Sequence, residues 1–136
     1  MAIDPGPHDL DRVRPILGPD GNATLKAVSP RFYEELDGEF PTFQGHHLIQ
    51  KFDFDSPWPT WEMHPEADEF VYLLSGDVSF RVKAPGQPEV RIRVSEPGCY
   101  VMVPRGHWHT AEPLQPTSML FVTAGEGTRN ETLPPE

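Results

Sequence analysis

The chain predicts an all-β domain, a sandwich or small barrel, and two features of the sequence carry that expectation. Short β-branched and aromatic runs alternate with polar residues at every second position, as Val78, Phe80 and Val82 do against Ser79, Arg81 and Lys83. The 17 prolines and 11 glycines fall between those runs rather than in one tract, which predicts short strands and tight turns. A length of 136 residues supplies one core and not two.

Taken in order, residues 1 to about 21 are rich in Pro, Gly and Asp and poor in large apolar side chains, so an irregular arm is expected there. From Ser29 the run SPRFYEEL offers an N-cap candidate, a proline at the first helical position and acids in the next turn, the pattern of one short helix. Asp37-Gly38 is expected to end it. Strands are then expected over residues 44–53, Trp61 to His64 and Glu69 to Leu74, followed by a turn at Ser75-Gly76-Asp77. Val78 to Val82, Val90 to Val94, Tyr100 to Val103, His107 to Ala111 and Ser118 to Thr123 complete the set, and AGEGTRNETLPPE closes the chain as a polar tail. The expected organisation is an arm with a short helix over 1–40, a β-barrel over 41–123 and a C-terminal tail over 124–136.

Composition narrows the function classes. Lys and Arg number 11 against 21 Asp and Glu, a net charge of -10, which repels nucleic-acid phosphates and anionic membranes. The lone Cys99 forms no internal disulfide and, before an apolar run with no basic neighbour, reads as a small buried residue. The first residues lack the basic and apolar regions of a signal peptide, and no apolar run approaches the ~20 residues of a membrane span. The expected location is cytoplasmic.

Two segments carry the chemistry, WEMHPEADEFVYLLSG from Trp61 and GCYVMVPRGHWH from Gly98. On strands, alternate residues share a face, so Glu62 goes with His64, Glu69 with Val71 and Leu73, and His107 with His109. If those faces line the inside of a barrel, imidazoles and carboxylates meet near its mouth, a donor set suited to a first-row divalent metal. A lone cysteine, Cys99, in the two segments argues against a structural thiolate zinc site. By the same parity Trp61, Met63 and Trp108 lie on the opposite face, which favours packing. For Trp58, Tyr72 and Met102 ordinary core or interface packing is the stronger reading, and for Arg81, Lys83, Arg91 and Arg93 a solvated sheet face.

These segments resemble the cupins. Of the family's first motif, His64, Glu69 and Gly76 match, while Ser56 stands at the opening glycine and Glu62 at the first histidine. Of the second, Gly98, Pro104, Gly106 and His109 match, with Pro113 at the asparagine position. The likeness spans about residues 44 to 123. It implies a jelly-roll (double-stranded β-helix) barrel in which His64, Glu69 and His109 are metal ligands and Glu62 takes the fourth place. A carboxylate there coordinates, or swings away to leave a three-ligand face, or marks a site that binds no metal. The family does not fix an activity, since cupins include dioxygenases, isomerases, lyases, storage proteins and ligand-sensing domains.

The expectation is therefore a homodimeric cupin that holds Fe, Mn, Ni or Zn and acts as a dioxygenase or isomerase on a small organic molecule. Glu62 is the fourth ligand or a base, and His107 is a candidate proton carrier. The alternative is a non-catalytic barrel that binds or senses a small ligand.

Overall fold

Alternation along the two longest strands decides which side chains go inside. In β5 (Glu69–Lys83) the buried apolar residues are Val71 and Leu73 and then Val78, Phe80 and Val82, and β8 (Trp108–Ala124) answers with Ala111, Met119 and Phe121. The two strands pair antiparallel from Phe70↔Val122 to Lys83↔Trp108. In this computed structural model, which describes residues 2–132 and Glu136, that pairing is the spine of a nine-stranded antiparallel sheet. Met1 and residues 133–135 of the expected tail lie outside the described residues.

The other strands join this spine. β5 pairs with β7 (Tyr100–Val103) near its start and with β6 (Val90–Val94) near its end. β8 pairs with β4 (Trp61–Met63) near its start and with β3 (His47–Phe54) through its second half. The sheet curls into a jelly-roll barrel whose interior is apolar, with Val71, Leu73, Val78, Phe80 and Met119 all at 0 % exposure. Each such side chain contributes roughly 1.5–3 kcal/mol by leaving water.

Two expected breaks are continuous strand. Ser75-Gly76-Asp77 is not a hairpin turn; β5 runs through it with register shifts against β8 between Leu73 and Val78. The extra residues are absorbed as bulges, which bend a strand without ending its ladder. β8 likewise continues through Pro113 and Pro116, where two separate strands were expected. The bends let each strand serve both halves of the barrel.

Both chain ends are more ordered than their composition suggests. The expected irregular arm holds for residues 2–9, but β1 (Val13–Leu17) and β2 (Ala23–Ala27) form a hairpin. β1 adds to the free edge of β3 through Ile16↔Leu48 and Leu17↔His47. An open edge offers unpaired N–H and C=O groups, and here that demand outweighs a weak local pattern. At the other end β9 (Arg129–Glu131), within the expected polar tail, covers the edge of β4.

The one helix, α1 (Phe32–Glu39), starts later than expected. Ser29 does not cap it; its hydroxyl instead donates to Glu35 Oε1 at 2.6 Å, and Arg31 takes the N-cap place. Gly38 stays inside the last turn, which the buried Lys26 of β2 holds by bridging Glu35 (3.2 Å) and Glu39 (2.9 Å). Phe32 and Leu36 pack on Ile16 and Leu48, so the helix rides on β1 and β3 as a second small core. Cys99, expected buried, is exposed, because it sits in the turn before β7. No described helix is long and apolar enough to cross a membrane.

Gly76 is the tightest point of the bulged spine. Its φ is +109°, and a Cβ there would come within 2.6 Å of the Pro116 carbonyl and the Thr117 Cα. Gly76→Ala is expected to lower stability by about 2–3 kcal/mol in urea unfolding. A loss within experimental error would mean the bulge has room to shift.

Candidate metal centre

Neighbouring strands carry the chemical residues to one end of the barrel. Glu62 is the middle residue of β4 and stands opposite His109 of β8. Its neighbours Trp61 and Met63 turn the other way and pack with Trp108, as their parity predicts. His64 follows at the end of β4, and Glu69 opens β5. The turn at Pro104 to Gly106 clamps this corner: the Gly106 N–H donates to the His64 carbonyl at 2.9 Å, and the Arg105 N–H donates to Asp68 Oδ1 at 2.8 Å.

The four side chains converge. Glu69 places one carboxylate oxygen 3.1 Å from His64 Nε2 and the other 3.2 Å from His109 Nε2. Glu62 Oε2 lies 3.9 Å from His109 Nε2. Glu62, His64 and His109 each offer a ligand atom, all within 4.8 Å of one another. His64, Glu69 and His109 are buried, while the Glu62 side chain is 35% exposed. The contacts are close in distance but lack hydrogen-bond direction. Among the described residues His64 Nε2, Glu69 Oε1 and both nitrogens of His109 are buried without a hydrogen-bond partner.

Two threonines that the sequence reading passed over orient this cluster. Thr128 Oγ1 meets His64 Nδ1 at 2.9 Å, and with Nδ1 as the donor the Nε2 lone pair points at Glu69. The Thr123 hydroxyl donates to Glu69 Oε2 at 2.6 Å. Thr123 stands in β8 and Thr128 just before β9. A lone threonine near a chain end carries no sequence signal; only the pairing of β9 with β4 brings Thr128 here.

Electrostatics follow from this crowding. Burial pushes the Glu69 carboxyl up, but the imidazoles of His109 and His64 outweigh it and bring it down to about 2. Burial pushes His64 down, and the carboxylates of Glu69 and Glu62 more than reverse that, so it titrates above its ordinary value. Glu62 is raised chiefly by burial, against the pull of His109 and with a push from Glu69.

A cavity of about 800 Å³ opens over the cluster. Glu62, His64 and Glu69 form part of its wall, and Phe52, Trp58 and Phe121 give it an aromatic lining. Trp58 also meets the His109 ring edge-on at 6.1 Å. His107 does not line the cavity; it sits in the turn before β8 with Nδ1 3.2 Å from the Arg105 carbonyl. Parity with His109 allows an inward position, with a solvent-facing rim position the preferred reading; β8 begins only at Trp108, so strand alternation does not reach His107. Arg81, Arg91 and Arg93 pair with Glu89, Glu112 and Asp77 on the outer sheet face.

No family model matches the chain, and no curated protein matches it. Solved structures do. Hydroquinone 1,2-dioxygenase from Sphingomonas sp. TTNP3 is 19% identical with a TM-score of 0.50 over 60% of both chains. A recombinant oxalate oxidase in complex with glycolate is 18% identical with a TM-score of 0.54, over 61% of this chain and 45% of that one. Oxalate decarboxylase from Lactobacillus farciminis is 14% identical with a TM-score of 0.54, over 64% of this chain and 26% of the other. This chain therefore spans less than two thirds of the length of each. Such likeness is one of fold, and the shared fold is the cupin barrel.

The depressed Glu69 carboxyl makes the metal-free protein acid-sensitive in a defined window. Its contribution to stability is present above the ordinary value of 4.5 and is lost as pH falls from there toward about 2. Urea unfolding in chelator at a series of pH values is expected to show this decline, and Glu69→Gln is expected to flatten it. An equal decline in the variant would assign the acid sensitivity elsewhere.

Proposed function

We propose that this chain of cupin fold holds a divalent first-row metal ion through His64, Glu69 and His109, and that the loaded barrel is an enzyme of dioxygenase or isomerase type acting on a small organic molecule. The observation that carries the reading is the set of buried donors with no partner. Leaving such groups unsatisfied costs on the order of 1–3 kcal/mol each, and one cation would satisfy His64 Nε2, Glu69 Oε1 and His109 Nε2 together. Two carboxylates also match the charge of a divalent ion. An ion held there supplies Lewis-acid polarisation or redox capacity, with positions open to substrate.

The chain's own groups have distinct tasks. Thr128 and Thr123 fix the directions of His64 and Glu69. Trp58 and Phe121 keep one wall of the cavity apolar, which lowers the local dielectric and strengthens each polar contact inside. Glu62, reachable from the cavity and with its carboxyl raised by burial, is the group suited to hold or release a proton at Oε2, or to serve as fourth ligand. His107 is not among the residues that line the cavity, so this reading gives the proton-handling role to Glu62. The second reading, a barrel that binds a ligand without chemistry, draws on the same aromatic cavity, which extends well past the four donors.

We also propose a cytoplasmic homodimer. At the start of β5, Phe70 and Tyr72 stand beside Tyr100 (57% exposed) and Met102 (48% exposed) of β7, four outward side chains with no charge among them. On a chain of net charge -10 such a patch is where two copies meet with least repulsion.

Metal analysis of untagged protein is expected to give one ion per chain, lost in His64→Ala and His109→Ala. Uptake is expected to weaken as pH falls through the raised pKa of His64, above 6.5, because protons compete for its nitrogen. A chain that takes up no first-row metal at neutral pH would leave the ligand-binding reading. Light scattering is expected to give twice the chain mass, shifting toward one chain in Tyr100→Glu/Met102→Glu; an unchanged mass would place the contact on another face.

A further inference from the structure

The buried charges beside α1 are unequally served. Arg14 and Lys26 face each other across the β1–β2 hairpin, at 9% and 7% exposure, and both pack on the Phe32 ring, at 4.6 and 5.6 Å. Lys26 has two carboxylates. Arg14 has none: among the described residues no acid lies within salt-bridge distance, and its buried Nε has no hydrogen-bond partner. A buried guanidinium without an anion is costly to retain, since charges inside proteins are normally paired.

Its position gives the reason for keeping it. Arg14 is 5.4 Å from the Phe52 ring and 6.0 Å from the Tyr33 ring, and both of those residues line the cavity above the donor cluster. Gln50, also in the wall, accepts the Tyr33 hydroxyl at 2.6 Å. The cavity wall itself has carboxylates but no lysine or arginine. The guanidinium nearest to that wall is Arg14, which does not line it but stands against two of its rings, Tyr33 and Phe52.

We propose that Arg14, with Tyr33 and Gln50 beside it, recognises a carboxylate, so that the cavity takes small organic acids with an apolar or aromatic body. This rests on reading the cavity as a small-molecule site, and it is independent of which metal, if any, is bound. A guanidinium presents its N–H groups as a fork that fits a carboxylate in two contacts. A phosphate would fit the same fork, but its second charge would be repelled by Glu62, Asp37 and Asp53 in the same wall. The aromatic lining suits a flat body, and the cavity of about 800 Å³ exceeds what a single-ring acid fills.

Calorimetric titration of the full chain with benzoate, benzyl alcohol and phenyl phosphate tests this, with and without metal. Benzoate is expected to bind most tightly, and Arg14→Gln to weaken it about 10- to 100-fold while leaving benzyl alcohol unchanged. Arg14→Lys is expected to restore part of the loss. Equal binding of benzoate and benzyl alcohol, or benzoate binding untouched in Arg14→Gln, would reduce Arg14 to a packing cation and overturn the proposal. Tightest binding of phenyl phosphate would overturn the carboxylate assignment. Should both variants unfold by circular dichroism, the wild-type protein decides: its Arg14 Nε–H resonance is expected to move downfield on benzoate addition, and an unmoved resonance refutes the contact. Benzoate binding that needs metal and not Arg14 sinks this proposal alone. Arg14-dependent binding in a chain that takes up no metal sinks the metal reading alone.

Discussion

A carboxylate almost without water, held between two imidazoles, is the constraint on which the rest of the site depends. Glu69 is 3% exposed, and its charge survives only because His64 and His109 stand within 3.2 Å and Thr123 donates to it. Those contacts offset its burial but leave ring nitrogens and a carboxylate oxygen unsatisfied. A buried network in that state is unstable unless something else enters it. Mutual attraction gathers the donors, and incomplete satisfaction makes them receptive.

The barrel spine makes this gathering possible. Glu69 lies at the start of β5 and His109 near the start of β8, and because the strands run antiparallel those positions would fall at opposite ends of a flat two-stranded ribbon. Curling the sheet brings them back together, with β4 supplying Glu62 and His64 between β8 and β9. The bulges around Gly76 belong to the same geometry, since they bend β5 while its pairing with β8 continues.

The cavity wall joins unlike chemistries. Glu62, His64 and Glu69 share it with the rings of Phe52, Trp58 and Phe121, and the guanidinium of Arg14 stands against the Tyr33 and Phe52 rings without lining it. A net charge of -10 makes that guanidinium unusual, and its carboxylate-paired neighbour Lys26 shows that the fold had acids available for a buried cation at this place.

Much of the fold was legible in the sequence, because alternation at every second residue reports burial locally. The apolar positions of the second half of β5 and the outward turn of Trp61, Met63 and Trp108 were readable in that way, whereas Val90 of β6, inward by the same alternation, is 57% exposed. So were the inward faces of Glu62, His64, Glu69 and His109, which the tertiary structure brings within reach of one another. What stayed hidden depends on partners distant in sequence. The β1–β2 hairpin and β9 form because open sheet edges need hydrogen bonds, not because their own residues favour strands. Thr123, Thr128 and Arg14 gain their meaning only from that closure: the sequence by itself determined which donors exist and which face each takes, and the folding of edge onto edge decided what stands beside them.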